Sequence, residues 1–211
     1  MKKLFINIFT AVGKFLSYIF PRSIGKFFTA ARDKTYTGYI SRRFAKLGKG
    51  SFFMYRPHHL LGEQSISIGE NDIFEPGLQL TAWEKDSHKI LITIGNNCLF
   101  RRNAHITAVE SISIGDNLLT GTNVFITDNS HGTTDINQLM NSPHDREVIS
   151  KGAVKIGNNV WLGNNVCIMP GITIGNGAII GANSVVTHDV PPLSVAAGCP
   201  ARIIKQYSDH K

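Results

Sequence analysis

Residues 156–186 read IGNNVWLGNNVCIMPGITIGNGAIIGANSVV, and an aliphatic side chain returns at every sixth position: Ile156, Leu162, Ile168, Ile174, Ile180 and Val186. A helix repeats at about 3.6 residues and a strand at about 2, so neither alone produces this period. A hexapeptide repeat is the signature of a parallel β-helix. Each repeat is one flat side plus its corner, three sides make a triangular coil, and stacked coils bury a continuous column. The other positions of the repeat agree. Four residues after each aliphatic come Val160, Val166, Ile172, Ala178, Ser184 and Val190, small or β-branched as a narrow interior requires. Three residues after come Asn159, Asn165, Gly171, Gly177, Asn183 and Asp189, which best tolerate the left-handed backbone of tight corners. The fifth positions, Trp161, Cys167, Thr173, Ile179 and Val185, point outward by strand alternation. So much outward apolar surface calls for a partner subunit or a bound ligand.

The frame recurs upstream with less regularity. Ile94, Phe100, Ile106 and Ile112 form one set, Ile114, Thr120 and Ile126 a second displaced by two residues, and SISIGEN around Ile68 opens a first coil. Residues 81–92 and 132–153 are polar enough to be loops thrown out of the coil, where a rigid solenoid carries its specificity. The expected organisation is a basic, partly amphipathic segment over residues 1–60, an all-β solenoid over 61–195 bearing those two loops, and a C-terminal cap and tail over 196–211. If loop 132–153 replaces no coil, Ile156 starts the next coil above Ile114. His131 and Trp161 then lie near different corners of the triangle. Two neighbouring molecules around a three-fold axis would bring them together more readily than one.

The 211-residue chain carries a net charge of +7, all of it owed to its first quarter. Residues 1–49 hold eleven Lys/Arg against one acid, Asp33, whereas residues 50–211 hold eleven against fourteen. The stretch Leu4–Phe20 is short of the roughly 20 apolar residues of a spanning helix and is interrupted by Lys14. Lys14, Arg22 and Lys26 also fit a signal peptide poorly. Two readings stay open for residues 1–30: helices packed as a cap on the first coil, or an amphipathic helix on an anionic membrane surface. The basic residues are not interleaved with stacking aromatics in a recognisable module, so nucleic acid is not an expected partner. Cys98, Cys167 and Cys199 are odd in number and widely spaced, which points to a reducing cytosol. The eight histidines show no close metal-ligand spacing, and no metal is expected.

His131, in TDNSHG at the root of loop 132–153, is placed outward by the frame of Ile126, with Ser130 inward. An imidazole with an ordinary pKa of about 6.5 suits a general base; taken alone, the residue reads more readily as a surface histidine. Asp128 and Glu147 are candidates to orient it, although Asp128 also reads as a corner residue. His105 is outward too, on a face expected to differ from that of His131; His58, His59, His88, His144 and His188 read as surface or loop residues.

The stretch from Val154 to Tyr207, with HITAVESISIGDNLLTGTNVFITDNSHG before it and the spaced SP…SKG…V between, resembles the hexapeptide-repeat O-acetyltransferases over residues 62–207. The likeness is nearest to those of lipopolysaccharide O-antigen, capsule and exopolysaccharide synthesis, and extends to galactoside and maltose acetyltransferases. It implies a left-handed parallel β-helix, a handedness outside the usual right-handed crossover rule, a homotrimer, and acetyl-CoA held between subunits. It further implies His131 as catalytic base and Trp161 beside the pantetheine arm. Asn164, Ala182 and Thr187 would contact CoA, and Arg202 and Lys205 its phosphates. Lys205 stands where galactoside acetyltransferases carry Arg, keeping charge but losing bidentate geometry. Arg101 and Leu99 fall where those enzymes bind acceptor with asparagine and tyrosine, so a simple galactoside is not the expected acceptor.

The function so implied is transfer of acetyl from acetyl-CoA to a sugar hydroxyl of a surface polysaccharide, in the cytoplasm or on the inner face of the plasma membrane. The acceptor is a sugar or glycan, free, nucleotide-linked or lipid-linked, with Trp83, Arg101 and His105 as candidate contacts. Competing readings are N-acetylation of an amino-sugar nucleotide and a non-enzymatic scaffold. The second leaves an outward His131 and Trp161 without a purpose. A zinc hydratase on the same coil would need a histidine pair five apart, which His105 and His131 do not supply.

Overall fold

In the computed structural model, residues 2–20, 22–84 and 89–208 are described. His88, with the rest of 85–88 in the expected loop 81–92, and residues 209–211 of the tail lie outside the described residues, as do Met1 and Pro21. Among the described residues, three parallel sheets form the faces of a triangular coil, and the chain visits them in rotation. Sheet A stacks Lys46–Leu47, Ile66–Ile68, Ile92–Ile94, Ile112–Ile114, Val154–Ile156 and Thr173–Ile174. Sheet B runs from Phe52–Phe53 through Ile73–Phe74, Leu99–Phe100, Leu119–Thr120, Trp161–Leu162 and Ile179–Ile180 to Ser194–Gly198. Sheet C runs from His59–Leu61 through Gln79–Ala82, His105–Ala108, Phe125–Thr127 and Cys167–Ile168 to Val185–Val186. The chain is therefore a parallel β-helix.

The hexapeptide aliphatics form the inner columns. Ile68, Ile94, Ile114, Ile156 and Ile174 stand in register on sheet A, and Leu80, Ile106, Ile126, Ile168 and Val186 on sheet C, all buried. Ile114 pairs with Ile156, so loop 132–153 replaces no coil. The left-handed corners fall at Asn159, Asn165, Gly171, Gly177 and Asn183, and upstream at Asn71, Asn97, Asn103, Asn117 and Asn123. Their amides bridge successive coils, as in Asn123 Nδ2 to Asn165 Oδ1 and Asn165 Nδ2 to Asn183 Oδ1, both 2.9 Å. Asp189 does not share that backbone; its Oδ1 instead accepts the Thr173 N–H at 2.7 Å.

The coil begins at Lys46, inside the segment assigned to 1–60, rather than at residue 61. The first coil escapes the repeat because its sheet B position is filled by an aromatic ring. Phe44, Phe53, Phe74 and Phe100 stack with successive centroids 5.7, 4.9 and 4.9 Å apart, so rings replace aliphatics at this end of the core.

The N-terminal segment divides in two. Helix α2 (Arg22–Ile40) packs its C-terminal half on the first coil, burying Asp33, Thr37 and Ile40. The Phe53 N–H donates to Thr37 Oγ1 at 3.0 Å. Helix α1 (Lys2–Ile19) buries no residue and stands off at 88°. No single described helix is long and apolar enough to cross a membrane; the bent pair meets that test only when taken together.

Asp72 is wholly buried beneath the corner between sheets A and B, with Oδ1 accepting the Cys98 N–H at 2.7 Å. Burial pushes its carboxyl from 3.8 up to about 6. The folded state therefore holds this proton more tightly than the unfolded chain, and stability falls as pH rises from 3.8 to about 6. Asp72→Asn should remove that decline in urea midpoints measured across the same pH range. An unchanged slope would show that Asp72 is not its source.

Candidate functional site

Both excursions from the coil leave at one corner, between sheets C and A. Residues 83–91 join Gln79–Ala82 to Ile92–Ile94, and residues 128–153 join Phe125–Thr127 to Val154–Ile156. Asp128 anchors the second. Its buried carboxylate accepts the N–H groups of Val109, Glu110 and Ser111 at 2.8–2.9 Å, and its carbonyl accepts the Lys151 N–H at 3.1 Å. Both feet of the insertion are thus tied to the coil below. Asp128 spends its oxygens on these backbone groups and on the Asn129 side-chain amide (3.0 Å), and is an anchor, not the group that orients His131.

From this anchor Asn129–His131 pairs antiparallel with Val148–Ser150, setting His131 opposite Val148. Ser130 does not continue the inward column, as the frame of Ile126 predicts. The chain has already left the coil, and Ser130 Oγ donates to the Gly132 carbonyl at 3.0 Å. His131 is exposed at the hairpin root and borders a cavity of about 580 Å³ on the outer face of sheet C. Glu147 accepts the Gly132 N–H on its backbone carbonyl at 2.8 Å and lines an adjoining pocket of about 230 Å³ with Trp83, Val109 and Val148.

The larger cavity gathers Trp83, His105, His131, His144, Val148 and Met169 from elements far apart in sequence. His105 and His131 therefore line one cavity, contrary to the separate faces expected for them. His105 sits on sheet C directly below Phe125, whose strand leaves the coil after Thr127 to form the hairpin. Its ring lies 4.9 Å from that of Phe125, tilted by 45°. Burial, with a smaller push from His59, holds the His105 pKa below the ordinary histidine value. The Trp83 indole N–H donates to Thr107 Oγ1 at 3.1 Å, which fixes the ring while half of it stays exposed. Arg101 is not part of this cavity. It sits at the end of the sheet B strand Leu99–Phe100 and pairs with Glu75, one coil below, at 2.8 Å.

The residues singled out for a cofactor fall elsewhere. Leu119, Trp161, Ile179, Val195 and Lys205 form one row in register across the outer face of sheet B. Arg202 stands opposite Ala197, on the same side as Val195 and Lys205. Simple alternation would place residues three apart on opposite sides. A bulge takes up Ile204 and restores the match, a detail no spacing rule reveals. Arg202 also borders a cavity of about 350 Å³ with His188 and Asp189. Asn164 and Ala182 stack at the corner between sheets B and C, where Asn164 Oδ1 already accepts the Thr122 N–H at 2.9 Å. Thr187 lies at the corner between C and A, with Oγ1 2.9 Å from His188 Nδ1. The outer faces of sheets B and C diverge from their shared corner. One chain consequently does not bring Trp161 and His131 onto a common small ligand. Among the described residues, no three His, Cys, Asp or Glu side chains gather as metal ligands.

The coil is built of hexapeptides and carries a histidine at the root of an ejected hairpin. Sequence comparison agrees: bacterial transferase hexapeptide (six repeats) matches residues 153–188, and the hexapeptide repeat of succinyl-transferase matches residues 91–128. The chain is 40% identical over 87 residues to the Escherichia coli (strain K12) protein WbbJ, to which a lipopolysaccharide biosynthesis O-acetyl transferase role is assigned; the match covers 40% of this chain and 44% of WbbJ. It is 39% identical over 56 residues to the galactoside O-acetyltransferase of the same organism, covering 26% of this chain and 28% of that enzyme. These matches span less than half of either curated relative. Among solved structures, a galactoside acetyltransferase in complex with coenzyme A is similar at a TM-score of 0.55 with 36% identity, over 69% of this chain and 66% of its own. A hexapeptide-repeat-containing acetyltransferase of Vibrio cholerae O1 biovar eltor, complexed with acetyl coenzyme A, has a TM-score of 0.59 with 28% identity, over 84% and 79%. A Bacillus cereus N-acyltransferase, AntD, at 20% identity and a TM-score of 0.65 over 82% and 89%, shares the fold. The chain resembles the hexapeptide-repeat acetyltransferases in sequence and in fold.

The low His105 pKa is open to direct measurement. Its titration midpoint, followed by NMR of the imidazole, should lie below the ordinary histidine value and move upward in His59→Ala. A midpoint unmoved by that substitution would leave burial as the sole cause.

Proposed function

We propose that the chain is an acetyl-CoA-dependent O-acetyltransferase acting on a sugar hydroxyl of a surface polysaccharide. The observation that carries this reading is the placement of His131 beside a cavity lined by neutral hydrogen-bonding groups and aromatic rings, the lining that a sugar needs. The relatives named above support the acetyl donor and the O-linked product. On this reading the imidazole takes the proton of the sugar hydroxyl as its oxygen attacks the acetyl carbonyl, and the CoA thiolate leaves and is reprotonated. Such a base must approach the hydroxyl within about 2.6–3.2 Å. No covalent enzyme intermediate is needed, and the cysteines keep no chemical part.

The outer row of sheet B fits the donor. Trp161, Ile179 and Val195 offer an apolar track to a pantetheine arm, and Lys205 and Arg202 end it with two cations for phosphate, roughly 14 Å away at three strand spacings. Because this row and the His131 cavity face apart, we infer a homotrimer in which the row of one copy meets the cavity of the next. Sheet A, outwardly Ser67, Thr93, Ser113, Lys155 and Thr173, supplies the solvent face. A left-handed coil is part of the same inference.

Acetyl transfer measured as thiol release from acetyl-CoA with a panel of sugar acceptors tests the assignment. His131→Ala should lower turnover by about 10²–10⁴ while the oligomer and CoA binding persist. Near-normal turnover in that variant would refute the base. Arg202→Ala with Lys205→Ala should raise the KM for acetyl-CoA and leave that for the acceptor in place.

We also propose that α1 lies on an anionic membrane surface, on the cytoplasmic side that the cysteine usage favours. Lys3, Asn7, Thr10, Lys14 and Ser17 make one narrow polar stripe, opposed by exposed Phe5, Ile8, Phe9, Val12 and Leu16. Thr10 and Ser17 turn their hydroxyls back onto the Ile6 and Lys14 carbonyls at 2.8 and 2.7 Å, which leaves the lysines as the main polar groups of the stripe. No acid precedes Asp33 in the sequence. Such helices lie in the interface with their apolar side among the acyl chains. The intact chain should sediment with vesicles containing anionic lipid, less so at high salt, and Phe9→Glu with Val12→Glu should release it. An intact chain that stays in the supernatant would end this reading.

A further inference from the structure

The cavity beside His131 is elongated along the coil axis. Its lining on the outer face of sheet C starts at His59 in the first coil and rises through Gln79 and His105 to Phe125, each in register with the next. Three coil spacings make this column about 14 Å long. A single hexose ring cannot bridge it. Trp83 stands beside the column with its indole N–H fixed on Thr107 and its ring half-exposed, a flat face on which the C–H side of a sugar can stack.

The chemistry of the lining is equally specific. Among the described residues, no Asp, Glu, Lys or Arg borders this cavity. A diphosphate requires fixed cations or a cluster of backbone N–H donors, and the described lining offers no such cation. The two cations of the sheet B row, Arg202 and Lys205, lie on another face of the same chain, and on the reading above the CoA phosphates take them. His105, held toward its neutral form by burial, fits the same uncharged character.

We infer that the acceptor is a neutral oligosaccharide of several sugar units, laid along His59, Gln79 and His105 with the acetylated sugar at the His131 end, and not a monosaccharide or a nucleotide-activated sugar. This rests on the reading of the cavity as the acceptor site. The column opens at the first coil, the end that α2 caps and from which α1 projects. A glycan strand held there runs from the α1 end of the coil toward the hairpin.

Binding can be read without catalysis, which separates a failure of this inference from a failure of the enzymatic one. The chain has two tryptophans, Trp83 and Trp161. In Trp161→Phe, the fluorescence comes from Trp83 alone. Titration of the full-length variant with neutral oligosaccharides of one to six units, built from glucose, galactose, rhamnose or N-acetylglucosamine, should give a saturable change for at least one series. In that series the apparent Kd should tighten at least about tenfold from one unit to four, an advantage that His59→Ala or Gln79→Ala erases. A deoxythymidine-diphosphate sugar should produce no saturable change. Three results would overturn the inference: no response to any neutral oligosaccharide, equal affinity for one unit and four, or tighter binding of the nucleotide sugar. If the fluorescence follows the expected course while acetyl transfer is absent with every acceptor, the binding track stands and the acetyltransferase reading falls.

Discussion

Every coil of this protein must set its inward residue on the one below, at the roughly 4.8 Å spacing of paired strands. That single constraint organises the rest. It makes Ile114 pair with Ile156 across forty-one intervening residues, because the hydrophobic column tolerates no vacancy while the surface accepts an insertion readily. It also explains why the core composition changes along the axis, from stacked rings at Phe44, Phe53, Phe74 and Phe100 to Leu162, Ile180 and Ala196 on the same face. The aromatic end lies where α2 closes the coil.

Insertions in such a solenoid do not disturb the core, but their point of exit matters. The segments at 83–91 and 128–153 leave from one corner, so Trp83 and His131 meet although forty-eight residues separate them. Asp128 holds this corner through three backbone N–H groups. A buried carboxylate satisfied in this way is a rigid anchor, since each donor would be left unpaired by its movement. A histidine carried on a hairpin beside such an anchor is held in place by the fold itself.

The separation of His131 from Trp161 is the second consequence of triangular coils. Faces of a triangle point apart, so an apolar row on sheet B and a polar cavity on sheet C serve one reaction only if another copy supplies the missing wall. The outward apolar positions Trp161, Ile179 and Val195 then acquire a purpose that a lone solenoid would not give them. The N-terminal helices follow a different logic: α2 belongs to the coil through Thr37 and Ile40, whereas α1 keeps its apolar side outside the core.

The period of six, by itself, determined the parallel coil, its inward columns and its asparagine corners, because strand alternation and left-handed turns are local properties of the chain. The same pattern was silent where aromatic rings took over, so the first coil at Lys46 escaped it. It also carried Ser130 inward, one step too far, because nothing local announces that the backbone leaves the coil at Asp128. Arg101 looked like a companion of His105 until the coil set it at the end of sheet B, paired with Glu75. Only the tertiary structure brought His105, Trp83 and His131 to one cavity, and only the bulge at Ile204 set Arg202 and Lys205 on one face. Each of these depends on which coils lie adjacent and where the chain departs from them, and those are relations between residues distant in sequence.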